Sequence, residues 1–252
     1  MSFARHRRTS YLALAAAVAL ALSACSSSTP ATKATGSSSA GATGSSAAAL
    51  LDQLRKSSTA AKSVRIKGDI SNGSTTSSSK AVKVQVDIAG DRAGKNSRAL
   101  INDGTGSIEI LTAGGATYIK ADKAYWTKNG SPAVAKTAAG KYLKVPAGSA
   151  AGMGDLTVGK LLDQIFANEI SISGKVLTKV EKGDVDGIPA YVLTDRVGGD
   201  NSKIYVSADG QARLLRIVGP KSQPTTLIFT EWDAVKPVSA PPADQLGHMP
   251  GL

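Results

Sequence analysis

A strict alternation of apolar and polar residues constrains the fold of this chain more than any other feature. Between 64 and 70, and again between 82 and 88, the even positions hold Val, Ile or Gly and the odd positions hold Arg, Lys, Gln or Asp. A period of two sends successive side chains to opposite faces of a β-strand. Both segments therefore predict strands with one buried and one solvated face, which is typical of antiparallel sheets.

Many further, shorter segments are also predicted to be strands. These segments are 98–101, 107–112, 116–120, 124–128, 170–173, 176–182, 190–194, 203–207, 214–218 and 226–232. Gly, Asn and Asp lie between them as turn residues, and Asp209-Gly210 between two strands predicts a tight hairpin. Prolines at 237, 241, 242 and 250 end regular structure near the C-terminus.

Two segments have a helical period instead. Segments 47–61 and 156–168 each carry one apolar stripe, and Asp155 or Thr157 can cap the second helix. The stripes consist of Leu50, Leu51 and Leu54 in the first helix and of Leu161, Leu162, Ile165 and Phe166 in the second. Segment 130–154 is rich in Gly, Ala, Ser and Pro, so we expect a long loop there. With many strands and few helices, we predict an α+β fold in which helices cover one face of a curved antiparallel sheet.

The N-terminus has the pattern of a bacterial export signal. Arg5, Arg7 and Arg8 precede an uncharged apolar stretch at 11–22, which is too short to span a bilayer. Leu22-Ser23-Ala24-Cys25 follows and matches a lipobox. We therefore expect residues 1–24 to be a cleaved signal peptide. An ordinary secretory signal with an incidental cysteine is the alternative, and the twin-arginine and general export routes both stay open.

A lipobox cysteine defines how the rest of the chain is organised. Cys25 is the only cysteine, so the chain has no intrachain disulfide and no cysteine-based metal site. Two acyl chains on Cys25 would anchor the protein stably to the outer face of the cell membrane. Residues 25–46 then form the acylated cysteine and a flexible tether rich in Ser, Gly and Ala, and 47–252 form one folded domain.

The charge of the chain limits its partners. Lys and Arg number 30 against 19 Asp and Glu, for a net charge of +11. The excess is spread among acids, which favours anionic lipid headgroups or cell-wall polymers as partners, or simply a solvated basic surface. There is no basic run with interleaved aromatic residues and no nucleic-acid-binding motif, so nucleic acid is not an expected partner.

Several local segments together resemble a known family. They are Tyr118-Ile119-Lys120 with Tyr125-Trp126, the second helix at 161–166, Gly183 to Tyr191, Lys203 to Gly210, and 226–232 before the Pro-rich end. On these segments the chain resembles the actinobacterial lipoproteins of the LppX/LprG type, which share the LolA-like fold. The resemblance implies a strongly curved half-barrel whose concave face is covered by helices. It also implies that acyl chains of a lipid or glycolipid bind between them and are carried across the envelope, with an envelope transporter as a partner.

A cavity of this kind agrees with the residues that point to the inner face. Most are short, and the chain has only three Phe and two Trp, so a curved sheet can fail to fill its own interior. The expected lining is Val64, Ile66, Val82, Val84, Val86, Ile88, Ile101, Ile108, Ile110, Ile119, Leu161, Leu162, Ile165 and Phe166. The alternative is a filled core, in which case the protein is an interaction or regulatory module for an envelope partner.

The sequence offers little for catalysis, and we expect no enzyme activity, no cofactor and no metal site. After residue 24 the only histidine is His248, which lies in a tail flanked by Pro and Gly. Asp184 and Asp186 are spaced like paired carboxylates but sit on a Gly-flanked turn. Segment 154–160 imitates a phosphate-binding loop, yet Leu161 stands where that motif needs a hydroxyl.

The residues around one aromatic pair predict a basic edge that could contact a lipid headgroup. Lys120, Lys123 and Lys128 surround Tyr125-Trp126 in the sequence and would give an amphipathic edge.

Overall fold

A computed structural model describes residues 47–72, 82–129, 132–146, 157–168, 177–197 and 200–248. These residues form four α-helices and eleven β-strands. The helices are α1 (Ala47–Ala60), α2 (Lys123–Asn129), α3 (Pro132–Ala138) and α4 (Val158–Asn168). The strands are β1 (Ser63–Asn72), β2 (Val82–Asp91), β3 (Ser97–Asn102), β4 (Ser107–Ala113), β5 (Ala116–Ala121), β6 (Tyr142–Lys144), β7 (Leu177–Val185), β8 (Ile188–Val197), β9 (Asp200–Ser207), β10 (Leu214–Val218) and β11 (Thr225–Thr230).

All of these strands belong to one curved, open sheet. Its order is β6-β5-β4-β3-β2-β1-β11-β10-β9-β8-β7, and every neighbouring pair is antiparallel. The chain thus builds one meander outward to β6 and a second one back from β7 to β11. The second meander closes on β1, so the first and last described strands of the chain pair near the centre of the sheet. The α+β class and the antiparallel sheet predicted from the alternation are confirmed.

The register places most apolar strand positions on one face, here called the apolar face, although Leu111, Tyr118 and Val192 are buried on the opposite face. One row crosses ten strands and consists of Ala121, Ile108, Ile101, Val86, Gly68, Leu227, Ile217, Ile204, Leu193 and Val180. Position 68 in this row has to be glycine, because a Cβ there would lie 1.8 Å from the carbonyl oxygen of Thr226. The opposite face, here called the charged face, carries Arg65, Asp87, Arg98 and Glu109.

The buried side chains of all four described helices share one apolar cluster with the apolar face. Leu54 of α1, Trp126 of α2, Ala138 of α3 and Leu162 of α4 are each at most 8% exposed in that cluster. α4 contacts β1 and β2, and α1 contacts β7. The leucine stripe predicted for each long helix is therefore the side that enters the core.

Two predicted elements are wrong. Segment 124–128 is not a strand but part of α2, because the carboxylate of Asp122 accepts the backbone N–H of Tyr125 at 2.7 Å and caps a helix. Segment 130–154 is not a single long loop, since it contains α3 and β6. Pro132 is the first residue of α3, a position where its fixed φ and missing N–H favour a helix start.

Most other predicted elements are confirmed within one to three residues at each end. The Oγ1 of Thr157 accepts the N–H of Lys160 at 3.3 Å and caps α4, as expected. The β7–β8 turn has Asp186 and Gly187 at positive φ (51° and 83°), so these two residues form the turn of a hairpin. Asp209-Gly210 also lies between two antiparallel strands, but six residues, 208–213, join β9 to β10, so the predicted tight turn is wrong there. The predicted strand at 170–173, the tether, Asp155 and Cys25 lie outside the described residues.

The Pro-rich tail crosses the charged face as a strap, defined here as residues 233–248. Glu231 and Asp233 have positive φ of 53° and 58°, and this bend turns the chain out of β11. The strap then runs to the edge strand β6. Hydrogen bonds hold the strap at three places. At its start, the N–H of Asp233 donates to Ser63 O at 2.9 Å, and at its end the N–H of Gly247 donates to Tyr142 O at 2.9 Å. In the middle, the side chain of Asn96 donates to Val238 O at 2.8 Å and accepts the N–H of Val238 at 2.7 Å.

A candidate ligand-binding site on the apolar face

The residues expected to line a cavity lie together in the structure, with one exception. Those that are buried in the common core are Val64, Ile66, Val86, Ile88, Ile108, Ile110, Ile119, Leu162 and Ile165. Val84, Ile101, Leu161 and Phe166 are partly buried against the same cluster. Val82, at the start of β2, is 47% exposed and stands apart from the core.

Burial changes along the strands of the apolar face. Val64 and Ile66, near the start of β1, are 0% exposed. Ile70, near the end of β1, is only partly buried, and so are its register partner Val84 and the nearby Ile101 of β3. One end of the apolar face is thus tightly packed, whereas the other end, here called the open end, keeps apolar surface in reach of a ligand.

Helix α2 lies at the same end of the sheet. It begins directly after β5, whose last residue Ala121 pairs with Ile108 at the start of β4. The β3–β4 turn touches the helix, because a Cβ on Gly106 would lie 2.6 Å from the backbone nitrogen of Tyr125. Burial raises the pKa of the Tyr125 hydroxyl, with a smaller contribution from the charge of Asp103. The open end is therefore bordered by sheet residues and by the aromatic pair of α2.

Trp126 carries an unpaired donor in this region. The residue is 8% exposed, and its Nε1 has no hydrogen-bond acceptor in the described part of the protein. The other tryptophan, Trp232, is equally buried, but its Nε1 donates to Leu214 O at 2.9 Å. A buried N–H without an acceptor is costly, so Trp126 marks a place where a ligand oxygen would be favourable.

The lysines predicted to surround the aromatic pair do not come together. Lys128 pairs with Asp103 at 2.9 Å. Burial opposes ionisation of Asp103, but hydrogen bonds from Thr105 and Lys128 outweigh it and lower the pKa of this carboxyl. Lys120 lies on the charged face instead, with its Nζ 5.0 Å from the ring centre of Tyr142. The strand alternation separates Lys120 from α2, so the expected basic edge does not form as one surface.

The charged face carries an ion-pair network that sequence reasoning did not identify. Arg65 donates to both carboxylate oxygens of Asp87 at 2.9 and 2.8 Å and to Glu231 at 3.0 Å. The hydrogen bond from Arg65 lowers the pKa of Asp87, and the bond to Asp87 raises that of Arg65. Arg98 donates to Glu109 at 2.6 Å, which raises the pKa of Arg98. The only sequence signal for these pairs was the charge at alternate strand positions.

The two carboxylates that the sequence spaces like a catalytic pair have structural partners. Asp184 accepts the N–H of Gly187 at 3.3 Å within the hairpin turn, and Asp186 pairs with Arg216 at 3.3 Å. His248 is exposed at the end of the strap. Among the described residues, no group of three His, Cys, Asp or Glu side chains is arranged to hold a metal ion. No described helix is long and apolar enough to cross a bilayer.

These features define an α+β protein with an open antiparallel sheet and one apolar face that is incompletely buried. No protein-family profile matches the chain, and no curated protein matches it. Two solved structures of PNGF-II, in space groups P21 and C2, align with 72% and 71% of this chain at 7% and 8% identity, with TM-scores of 0.21 and 0.20. The alignments cover only 29% and 28% of those longer chains, and at such scores the similarity supports no conclusion about fold or function.

Proposed function

We propose that this protein binds acyl chains of a lipid or glycolipid between the apolar face of its sheet and its helices. In this proposal the sheet is a half-barrel and the helices cover its concave side. The observation that carries the proposal is the change in burial along the strands, from Ile66 at 0% exposure to the partly buried Val84 and Ile101. An apolar surface that the protein does not fill itself is what a hydrocarbon chain requires.

The energetics favour a long chain with few polar groups. Each buried methylene contributes about 0.8 kcal/mol, so a chain that covers the open end gains affinity without a pattern of hydrogen bonds. The unpaired Nε1 of Trp126 supplies one donor beside this surface, suited to a ligand oxygen. The expected ligand is therefore a molecule with a long hydrocarbon chain and one oxygen that can accept the N–H of Trp126.

The proposed setting is the outer face of the cell membrane. The lipobox at Cys25 and the tether in 25–46 would hold the folded part close to the bilayer. A protein held there can take a lipid from the membrane or pass one to an envelope transporter. The proposal assigns the protein a binding and carrying role, with no catalytic residue, cofactor or metal.

A second candidate is an interaction module with a filled core. The fully buried end of the apolar face favours it, because Val64, Ile66 and Leu162 leave no space there. If the same packing extends to the open end, the partly buried residues serve a protein partner and not a lipid.

Native mass spectrometry separates the two candidates. The full chain would carry Cys25→Ser, so that no acyl group is attached to the protein itself, and would be purified from a bacterium that exports it. We expect a stoichiometric lipid adduct that is removed by organic extraction and restored by added lipid. A clean apo mass, together with no uptake of added lipid, would refute lipid binding and support the filled core.

A matched pair of substitutions locates the site. Val84→Trp places a large side chain at the open end, and we expect it to abolish the adduct. Val218→Trp makes the same change on the charged face, where Val218 pairs with Thr226 and Lys203, and should leave the adduct intact. If a folded Val84→Trp variant keeps its lipid, the open end is not the binding surface.

A further inference from the structure

The strap and the charged face form an open cleft between them that neither the core nor the proposed lipid site uses. Its volume is about 520 Å³, which lies in the range of small-molecule sites. The floor is formed by Arg65, Asp87, Ala89 and Arg98 of the sheet, and Glu231 and Lys236 face it from the chain that crosses above. Because the strap is hydrogen-bonded at Asp233 and at Val238, the cleft is held open between two fixed points.

The register explains why there is space between the strap and the sheet. Ala89 of β2 pairs with Arg65 on one side and with Arg98 on the other. The two arginines therefore flank a small side chain, on strands about 10 Å apart. Arg65 leans to Asp87 and Arg98 leans to Glu109, so neither guanidinium folds over Ala89. Ala89 leaves a gap with a guanidinium on each side.

The two arginines beside this gap differ in how many of their N–H donors are already hydrogen-bonded. All three nitrogens of the Arg65 guanidinium are bonded to Asp87 or Glu231, so this arginine serves the structure. Arg98 uses only its Nε, on Glu109, and its Nη1 and Nη2 have no hydrogen-bond partner in the described part of the protein. The ammonium of Lys236 also has no partner among the described residues. Two cations thus keep unused donors in one cleft.

We propose that this cleft binds a phosphate group. The free edge of a guanidinium offers two parallel donors, which match two oxygens of a phosphate, and Lys236 adds a point charge. Both carboxylates of the lining are engaged by Arg65, and Glu109 engages only the Nε of Arg98. The unused donors of Arg98 and Lys236 therefore favour an oxyanion as the ligand. The phosphate can come from a free phosphate compound or from the headgroup of a phospholipid.

Binding of inorganic phosphate tests the proposal directly. Titration calorimetry on the full chain with Cys25→Ser, at constant ionic strength, should show saturable binding on the order of millimolar Kd. Ala89→Leu fills the cleft without changing any charge and should weaken binding by about tenfold or more. Lys236→Ala should weaken it as well, and Lys203→Ala, an equal charge change on the same face outside the cleft, should not.

Vesicles distinguish the two sources of the phosphate. Sedimentation with phosphatidylglycerol vesicles, compared with phosphatidylcholine vesicles, reports headgroup binding. Phosphate binding that Ala89→Leu removes supports a free phosphate compound, and vesicle binding that Ala89→Leu removes supports a headgroup. Arg98→Lys is the second test if Ala89→Leu does not fold. It keeps the charge but loses the planar edge of the guanidinium, so it should weaken the binding of phosphate or of vesicles, whichever is observed. Absence of both kinds of binding overturns the proposal, and so does binding that none of the three cleft variants changes.

Discussion

Replacing one isoleucine at each end of the apolar face separates the packed core from the proposed lipid surface. Ile66→Ala removes a side chain that is 0% exposed, so it loses about 2.4 kcal/mol of transfer free energy and leaves a void. We expect unfolding free energy to fall by about 3–4 kcal/mol. Ile101→Ala removes the same atoms from a partly buried position that can relax into the exposed surface, and we expect a smaller loss of about 1.5–2 kcal/mol. Urea unfolding of the lipid-free proteins measures both values.

The effects on lipid binding should be reversed. A bound chain would cover the part of Ile101 that the protein leaves exposed, which is worth about 1 kcal/mol, or roughly a fivefold change in affinity. Ile66 makes no such contact, so Ile66→Ala should bind a fluorescent fatty acid as the parent does at temperatures where it remains folded. Equal stability losses in the two variants, or weaker binding in Ile66→Ala alone, would show that the two ends of the apolar face do not differ as described.

Three further predictions concern single side chains. Trp126→Phe and Trp232→Phe remove the same buried ring area, but only the second breaks a hydrogen bond, so Trp232→Phe should cost about 1 kcal/mol or more beyond Trp126→Phe in thermal or urea unfolding. Asp122→Ala should cost about 1 kcal/mol near neutral pH; since hydrogen bonds outweigh burial and lower the pKa of this carboxyl, the loss should shrink as pH falls below about 4 and through that pKa. Asn96→Ala should free the middle of the strap, with faster amide hydrogen exchange at Val238 and little change in the sheet.

The short helix α2 shows why local pattern was insufficient at one point. Segment 124–128 is predicted as a strand, and Tyr125 and Trp126 are residues that favour strands. The structure makes it helical because the Asp122 carboxylate caps its first turn, while a side-chain bond from Ser107 at 2.9 Å fixes that carboxylate. The capping residue is visible in the sequence, but its support comes from a residue that only the fold brings close.

The candidate sites show the same division. Residues of the apolar face could be named from the sequence because strand alternation assigns each one to a face before the strands are paired. Which of them are fully buried and which stay partly exposed could not be named, since that depends on where the helices lie on the sheet. The strap cleft could not be inferred either, because Arg65 meets Glu231 across 166 residues of sequence.

The sequence by itself determined the α+β class, the two faces of the sheet, both long helices and the positions of most turns. Each of these follows from the spacing of residues within one segment, where backbone geometry alone sets the direction of a side chain. Only the tertiary structure decided the pairing of β1 with β11, the partners of the charged residues, the difference between the ends of the apolar face and the path of the Pro-rich tail. These depend on contacts between distant segments, whose free energy is realised only when the whole chain is folded.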